Sequence, residues 1–305
     1  MTRHAAFLLM AGSSVLFWSG NAIIGRAAPE FGIPPIGLNF WRWTVALILL
    51  APFALRELRR SRAALRSGWY WFVAYGFAGI FLFNTLFYVG LQTTTAIQAA
   101  LIVSVLPVIV LLLSWIVYRQ KMSARQAAGA AISVPGAMLV VLQGRVGELA
   151  DIAFNAGDLW ILAAAFAWAC QILMLRYLPK GIGFATFQAV AIFSGVACML
   201  PFYLAESLAG APMPVTEVSL GFIAYGGVIG GIAGFTLWNI GTMRIGSQAA
   251  GYLANLYPIF TALLAVSILG ERLLWYHWLG GAMTLGGIAL ATTPARRVEA
   301  TSAGA

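Results

Sequence analysis

Phe72-Val-Ala-Tyr-Gly76 returns about 150 residues later as Phe222-Ile-Ala-Tyr-Gly226. Other landmarks recur at nearly the same offset. Thr85-Leu86 and Gly90 come back as Thr236-Leu237 and Gly241, Pro107 as Pro258, Gly129 and Gly136 as Gly280 and Gly287, and Trp18, Arg26 and Pro29 as Trp168, Arg176 and Pro179. Almost everything between these landmarks is apolar. A duplicated hydrophobic chain is the layout of secondary transporters, which hold a substrate site between two related halves.

With 61% hydrophobic and 9% charged residues, a 305-residue chain has too few polar side chains to cover a soluble surface. It reads as an integral membrane protein. Its 33 glycines fit, because lipid gives helices no hydrophobic reason to associate and close backbone contact must replace it. Cys170 and Cys198 fall inside apolar runs and read as buried small hydrophobes, without a disulfide or metal framework. The formal charge of +9 sits in short loops between those runs, which excludes a nucleic-acid partner in favour of the bilayer itself. The stretch from Met1 to Gly25 is too long for a signal peptide, lacks a small-residue cleavage site and has a partner in the second half, so it is kept as structure.

Crossing the hydrocarbon core takes about 20 helical residues. Ten stretches are long enough: Ala5 to Gly25, Ile36 to Leu55, Gly68 to Leu91, Thr94 to Val117, Ala124 to Leu142, Gly157 to Leu175, Gly183 to Ala205, Val218 to Gly241, Gly246 to Leu269 and Trp275 to Thr292. None shows the alternation of a lipid-facing barrel. With the N-terminus inside, only Arg26, Arg145 and Arg272 lie outside and Arg42 lies within a span, leaving 14 of the 18 Lys and Arg in the cytoplasm. Five spans per half is odd, so the halves cross with opposite polarity. The expected architecture is all-α, with ten transmembrane helices as two inverted five-helix repeats, 1–145 and 146–295. A disordered cytoplasmic tail, 296–305, follows, and both termini face the cytoplasm at the inner membrane.

Pro258, Gly270-Glu271-Arg272-Leu273, Gly280 and Gly286-Gly287 resemble the end of a repeat in EamA-type members of the drug/metabolite transporter superfamily. The first half has Pro107, Arg119-Gln120-Lys121-Met122, Gly129 and Pro135-Gly136, with Gln120 where the second half has Glu271. The resemblance implies a central cavity surrounded by the first, third, fourth, sixth, eighth and ninth spans, and export of small metabolites or amino acids.

Polar and aromatic groups near mid-membrane belong on a cavity, because facing lipid they would cost free energy. The candidates for substrate binding are Trp18, Asn21, Asn84, Tyr88, Gln98, Trp168, Gln171, Trp238, Asn239, Tyr252, Asn255 and Tyr257. Trp18 and Trp168 are repeat mates, each followed at helical spacing by an amide, Asn21 and Gln171. They read either as interfacial aromatics or as cavity walls with hydrogen-bonding groups beside them. Asn84 with Tyr88, and Tyr252 with Asn255, read either as interhelical glue or as the same kind of wall. Arg42, some six residues into the second span, either snorkels to the outer headgroups or draws a substrate carboxylate toward the outer mouth. Gly226, Gly230 and Gly234 mark a close helix contact. Pro107 and Pro258, midway along their spans, are expected to kink them and act as hinges.

No nucleophile, metal cluster or paired acid and base lies at depth, so an enzyme is not expected, nor a cofactor. No Asp, Glu or His lies near mid-span either, which predicts a facilitator or a weakly coupled exporter, with Glu271 and Asp158 as fallback proton sites. The neutral, aromatic candidate cavity points to amino acids, aromatic ones included, as cargo. Other amphipathic metabolites or drugs remain the alternative.

Overall fold

The computed structural model describes residues 3–145 and 155–292, with side chains throughout that range except at 3–4, 59–60, 246–252 and 292. The expected tail at 296–305 lies outside the described residues. The described chain is helical: α1 (Arg3–Ala27), α2 (Pro35–Ser67), α3 (Trp69–Tyr75), α4 (Asn84–Gly90), α5 (Ala96–Val103), α6 (Leu106–Tyr118), α7 (Ala124–Val141), α8 (Ala156–Met174), α9 (Phe184–Leu208), α10 (Glu217–Ala224), α11 (Gly234–Ala254), α12 (Tyr257–Leu269) and α13 (Trp275–Thr292). Eight helical stretches among the described residues are long and apolar enough to cross a membrane. Helix is what lipid requires of such runs, because it satisfies every backbone group within the segment. Local chemistry sets several starts. Ser123 and Gln126 form a capping box on α7, Thr216 and Ser219 form one on α10, and the side chains of Thr95 and Asn155 cap α5 and α8.

Two spans are not simple α-helices. A π-helical segment, Gly76–Phe83, joins α3 to α4, and another, Tyr225–Ala233, joins α10 to α11. Both begin at the repeated pentapeptide, where glycine lets the widened turn approach its neighbour. A Cβ at Gly76 would lie 2.4 Å from the Ala191 carbonyl oxygen of α9, and one at Gly227 would lie 2.5 Å from the Arg42 carbonyl oxygen of α2. The expected glycine face therefore packs closely, against α1 and α2.

The fourth and ninth spans differ from the sequence expectation of continuous helices kinked at proline. Residues 104–105 interrupt the chain between α5 and α6, and residues 255–256 interrupt it between α11 and α12. Pro107 and Pro258 each sit in the first turn after the break. A missing N–H has no intrahelical acceptor at that position, so proline starts the new helix and does not bend an old one. The turn expected at 242–245 falls inside α11, which is helical as far as Ala254. Gly230 and Phe235 meet Trp18, Gly241 meets Phe7 and Ala11 nearer the start of α1, and the Tyr257 carbonyl is back at Ser19, so the chain reverses along α1 between 241 and 257. That leaves α12 with 13 residues, about 20 Å long.

Helices far apart in the sequence pack in pairs. α7 and α13 run antiparallel: a Cβ at Gly129 would come within 2.4 Å of the Gly287 carbonyl oxygen, and one at Gly136 within 2.8 Å of that of Gly280. α2 and α9 clamp each other's starts. Glu206, near the end of α9, accepts from the backbone N–H groups of Ile36 (3.1 Å) and Gly37 (2.7 Å) at the start of α2. Glu57 of α2 accepts from the Gly183 N–H (3.0 Å) and the Thr186 hydroxyl (3.1 Å) at the start of α9. A carboxylate at a helix N-terminus meets both unpaired N–H groups and the positive end of the dipole. α1 packs on α11 and α12, while α8 packs on α4, α6 and the first π-segment. The outer surface carries exposed Phe53, Leu55, Ile116, Phe193, Leu263 and Ile268, an apolar coat suited to acyl chains. Cys170 and Cys198 are free and half-buried.

Candidate functional site

The π-segments, the two helix breaks and the facing sides of α1, α2 and α8 enclose a cavity of about 170 Å³. Its wall contains Trp18, Asn21, Asn84, Trp168, Gln171, Asn255 and Tyr257 from the sequence candidates, together with Pro107 and Pro258. Trp18 donates its indole N–H to the Gly230 carbonyl (3.1 Å) in the second π-segment. Its ring lies 5.4 Å from Phe235 and 5.3 Å from Trp238. Trp168, its repeat mate, lies 4.7 Å from Phe83. The amide of Gln171 fills the space a Cβ at Gly79 would occupy, 1.7 Å from its Nε2.

Asn84 is the polar keystone. It follows the first π-segment directly, and its amide donates to the Gly79 carbonyl (2.6 Å) and to that of Ile80 (3.3 Å) within that segment. Its oxygen accepts from the Arg42 guanidinium. Arg42 also donates to Asn39 Oδ1 (3.2 Å), Asn21 Oδ1 (3.4 Å) and the Gly226 carbonyl (3.3 Å), while Tyr88 donates its hydroxyl to Asn21 Oδ1 (2.7 Å). Arg42 therefore does not snorkel to the outer headgroups. It is 2% exposed and turned inward, because four neutral oxygens on α1, α2, α4 and the second π-segment together hold its head.

Other candidates stand apart. Tyr88 is buried behind Asn21 and outside the wall. Trp238 backs Trp18, and Asn239 returns its amide to the Phe235 carbonyl of its own helix (2.9 Å). Both follow a π-segment, whose extra residue turns all later positions by about 100° relative to an uninterrupted helix. The side chain of Tyr252 lies outside the described residues. Gln98 belongs to another cluster. It donates to Asp158, which also accepts from the Thr94 hydroxyl, and its Oε1 faces His277 Nε2 at 3.5 Å. His277 Nδ1 accepts from the Leu274 N–H (3.1 Å), so the network assigns the ring proton to Nε2, donating to Gln98. Glu271 clamps the start of α5 through the N–H groups of Ala96 (2.7 Å) and Ile97 (3.0 Å), 4.0 Å from Arg26. Neither Glu271 nor Asp158 touches the cavity wall.

Arg42, Trp43, Phe83, Phe235 and Ser104 line the cavity without being among the substrate-binding candidates, and Asn39 is buried behind Arg42. Ser104 lies in the break between α5 and α6, matching Asn255 in the other. Arg42 stood out in the sequence as the basic residue within a span, and its spacing of three from Asn39, which puts both on one helical face, is the signal that could have found Asn39. Discontinuous helices meeting at a midplane pocket are a recurrent way of building a transporter binding site.

Comparison with known proteins agrees. The chain is 23% identical over 256 residues to the uncharacterized transporter YyaM of Bacillus subtilis, covering 83% of this chain and 82% of that one. It is 26% identical over 278 residues, 88% of each chain, to a Streptantibioticus cattleyicolor protein named "Probable terminal-alkyne amino-acid exporter". A solved crystal structure with 22% identity superposes with a TM-score of 0.62, covering 98% of this chain and 100% of its own, and so shares the fold. The model of the EamA-like transporter family matches residues 5–142 and again 155–293. Two matches spanning nearly the whole of a helical membrane chain establish that this protein belongs to the EamA-like transporter family.

Proposed function

We propose that the protein exports small metabolites, amino acids including aromatic ones foremost, by alternating access through the central cavity. The observation that carries this reading is the cavity itself, walled by Trp18, Trp168 and amide side chains at the meeting point of two broken helices. Its volume of about 170 Å³ is below the roughly 300–1,000 Å³ of drug-sized sites, which favours a metabolite over a bulky drug. The name of the S. cattleyicolor relative points the same way.

In this reading the chain crosses the plasma membrane ten times as two inverted five-helix halves, 1–145 and 146–295, with both termini cytoplasmic. The antiparallel pairing of α7 with α13, the reciprocal Glu57 and Glu206 clamps and the cytoplasmic excess of Lys and Arg support it. No Asp, Glu or His is among the described wall residues, so transport follows the substrate's own gradient. Strong uphill efflux driven by a pH gradient alone would contradict that. The breaks before Pro107 and Pro258 serve as the hinges.

Counterflow of labelled amino acids in proteoliposomes tests the reading. Trp168→Ala removes one ring wall and is expected to lower phenylalanine counterflow about tenfold, the effect of about 1.4 kcal/mol of lost contact. A wild-type rate in this variant would place the path elsewhere. Replacing Pro107 and Pro258 together by alanine removes the rings that bar a helix from running through each break, and is expected to slow exchange; an unchanged rate would remove the hinge role.

A further inference from the structure

The cavity wall contains one formal charge, and it is unpaired. Arg42 is 2% exposed, and four of its five N–H groups go to neutral oxygens: Asn39, Asn21, Gly226 and Asn84. The Trp43 and Tyr88 rings flank the guanidinium at 4.6 and 5.2 Å. Among the described residues Arg26 pairs with Glu271 at 4.0 Å, and no carboxylate lies within 4.0 Å of Arg42 or lines the cavity. Trp43, in the same wall and also 2% exposed, has an indole N–H without a hydrogen-bond partner among the described residues. A buried guanidinium normally comes with a counter-ion, because desolvating a lone charge is costly. Holding α1, α2 and α4 together explains the neutral acceptors but not the charge, since a neutral amide would make similar hydrogen bonds.

We infer that Arg42 is the counter-charge for a substrate carboxylate inside the cavity, so that the cargo is recognised as a monocarboxylate with an apolar or aromatic body and its amino group is dispensable. The inference rests on the proposed transport role of this cavity. A single cation suits a monoanion, whereas a phosphate dianion would call for a second one. The wall offers an ammonium only neutral oxygens, such as that of Asn255, and ring faces. The fifth N–H is left to donate to a carboxylate oxygen, and the guanidinium, unlike a lysine ammonium, keeps its charge when buried.

The test uses four probes of one shape: L-phenylalanine, 3-phenylpropionate, phenylalaninamide and phenylethylamine. Their competition against labelled phenylalanine in counterflow is measured on the wild type, and their binding by tryptophan fluorescence in detergent. The two carboxylates are expected to compete and bind at least tenfold better than the amide and the amine. Arg42→Gln is expected to erase that preference. Asn21→Asp, which gives Arg42 an internal counter-ion at a position whose side-chain oxygen already accepts from Arg42 and Tyr88, is expected to fold and to lose the carboxylates selectively. If the amine matches 3-phenylpropionate on the wild type, or Asn21→Asp keeps the preference, the inference is overturned even though amino acids are transported. If 3-phenylpropionate binds through Arg42 while no amino acid is exchanged, the carboxylate assignment stands and the amino-acid export reading falls.

Discussion

Leucine in place of Gly136 is expected to leave little correctly assembled protein. A Cβ there already lies 2.7 Å from Met283 Cβ, 2.8 Å from the Gly280 carbonyl oxygen and 2.8 Å from the Thr284 nitrogen. Two of these are backbone atoms, so α7 and α13 must separate along the whole crossing. Overpacking a close contact costs about 1–3 kcal/mol and more where backbone must move, which is a large share of a marginal stability. The check is the monodisperse fraction and melting temperature in detergent beside Gly286→Leu, a change on the partner helix α13 where a Cβ meets nothing within 4 Å. Gly136→Leu is expected to melt far lower while Gly286→Leu stays close to the wild type. Equal behaviour would mean that the two helices do not meet through this glycine seam.

Asn84→Ala is expected to cost transport at least about a hundredfold. The substitution strips an acceptor from the Arg42 guanidinium and a donor from the Gly79 carbonyl, both in the wall of the cavity. Leaving a buried polar group unpaired costs about 1–3 kcal/mol, more when it is charged, so two such losses amount to about 3 kcal/mol or above. At 1.36 kcal/mol per factor of ten that is about two decades of rate. Asn239→Ala is the comparison, because its amide only returns to the carbonyl one turn back. Counterflow rates separate the two, and an Asn84→Ala protein exchanging substrate as fast as Asn239→Ala would show that the network around Arg42 does not shape the cavity.

Membrane class, helical architecture and seven residues of the cavity wall were legible in the sequence, from apolar run length, aromatic and amide residues at depth and a repeat near 150 residues. Trp18 with Asn21 and Trp168 with Gln171 sit in the wall because an uninterrupted α-helix carries both members of each pair to one face. Tyr88, Trp238 and Asn239 do not, and the cause is different for each helix. Tyr88 is spent on holding Asn21, a long-range bond that spacing cannot foresee. Trp238 and Asn239 lie beyond Tyr225–Ala233, and no feature of a glycine-rich run distinguishes a π-segment from an α-helix in advance. Of the two readings of Arg42, snorkelling fails for an energetic reason. Burial by neutral partners from four elements exists only once the bundle is assembled, whereas snorkelling is available to any arginine a few residues from a helix end. The breaks at 104–105 and 255–256 escaped because proline marks the first turn after an interruption as readily as a kink.

Access to Ser104 tests the central account most directly, because this residue lines the cavity at the first helix break. With Cys170 and Cys198 replaced by serine, Ser104→Cys would be labelled with a membrane-impermeant thiol reagent applied from each side in turn, with and without phenylalanine. The expected result is labelling from both sides and protection by the amino acid, as a solvent-filled pocket opening alternately requires. A cysteine that reacts from neither side, in protein that still exchanges substrate, would contradict a transport path through the space between the two halves.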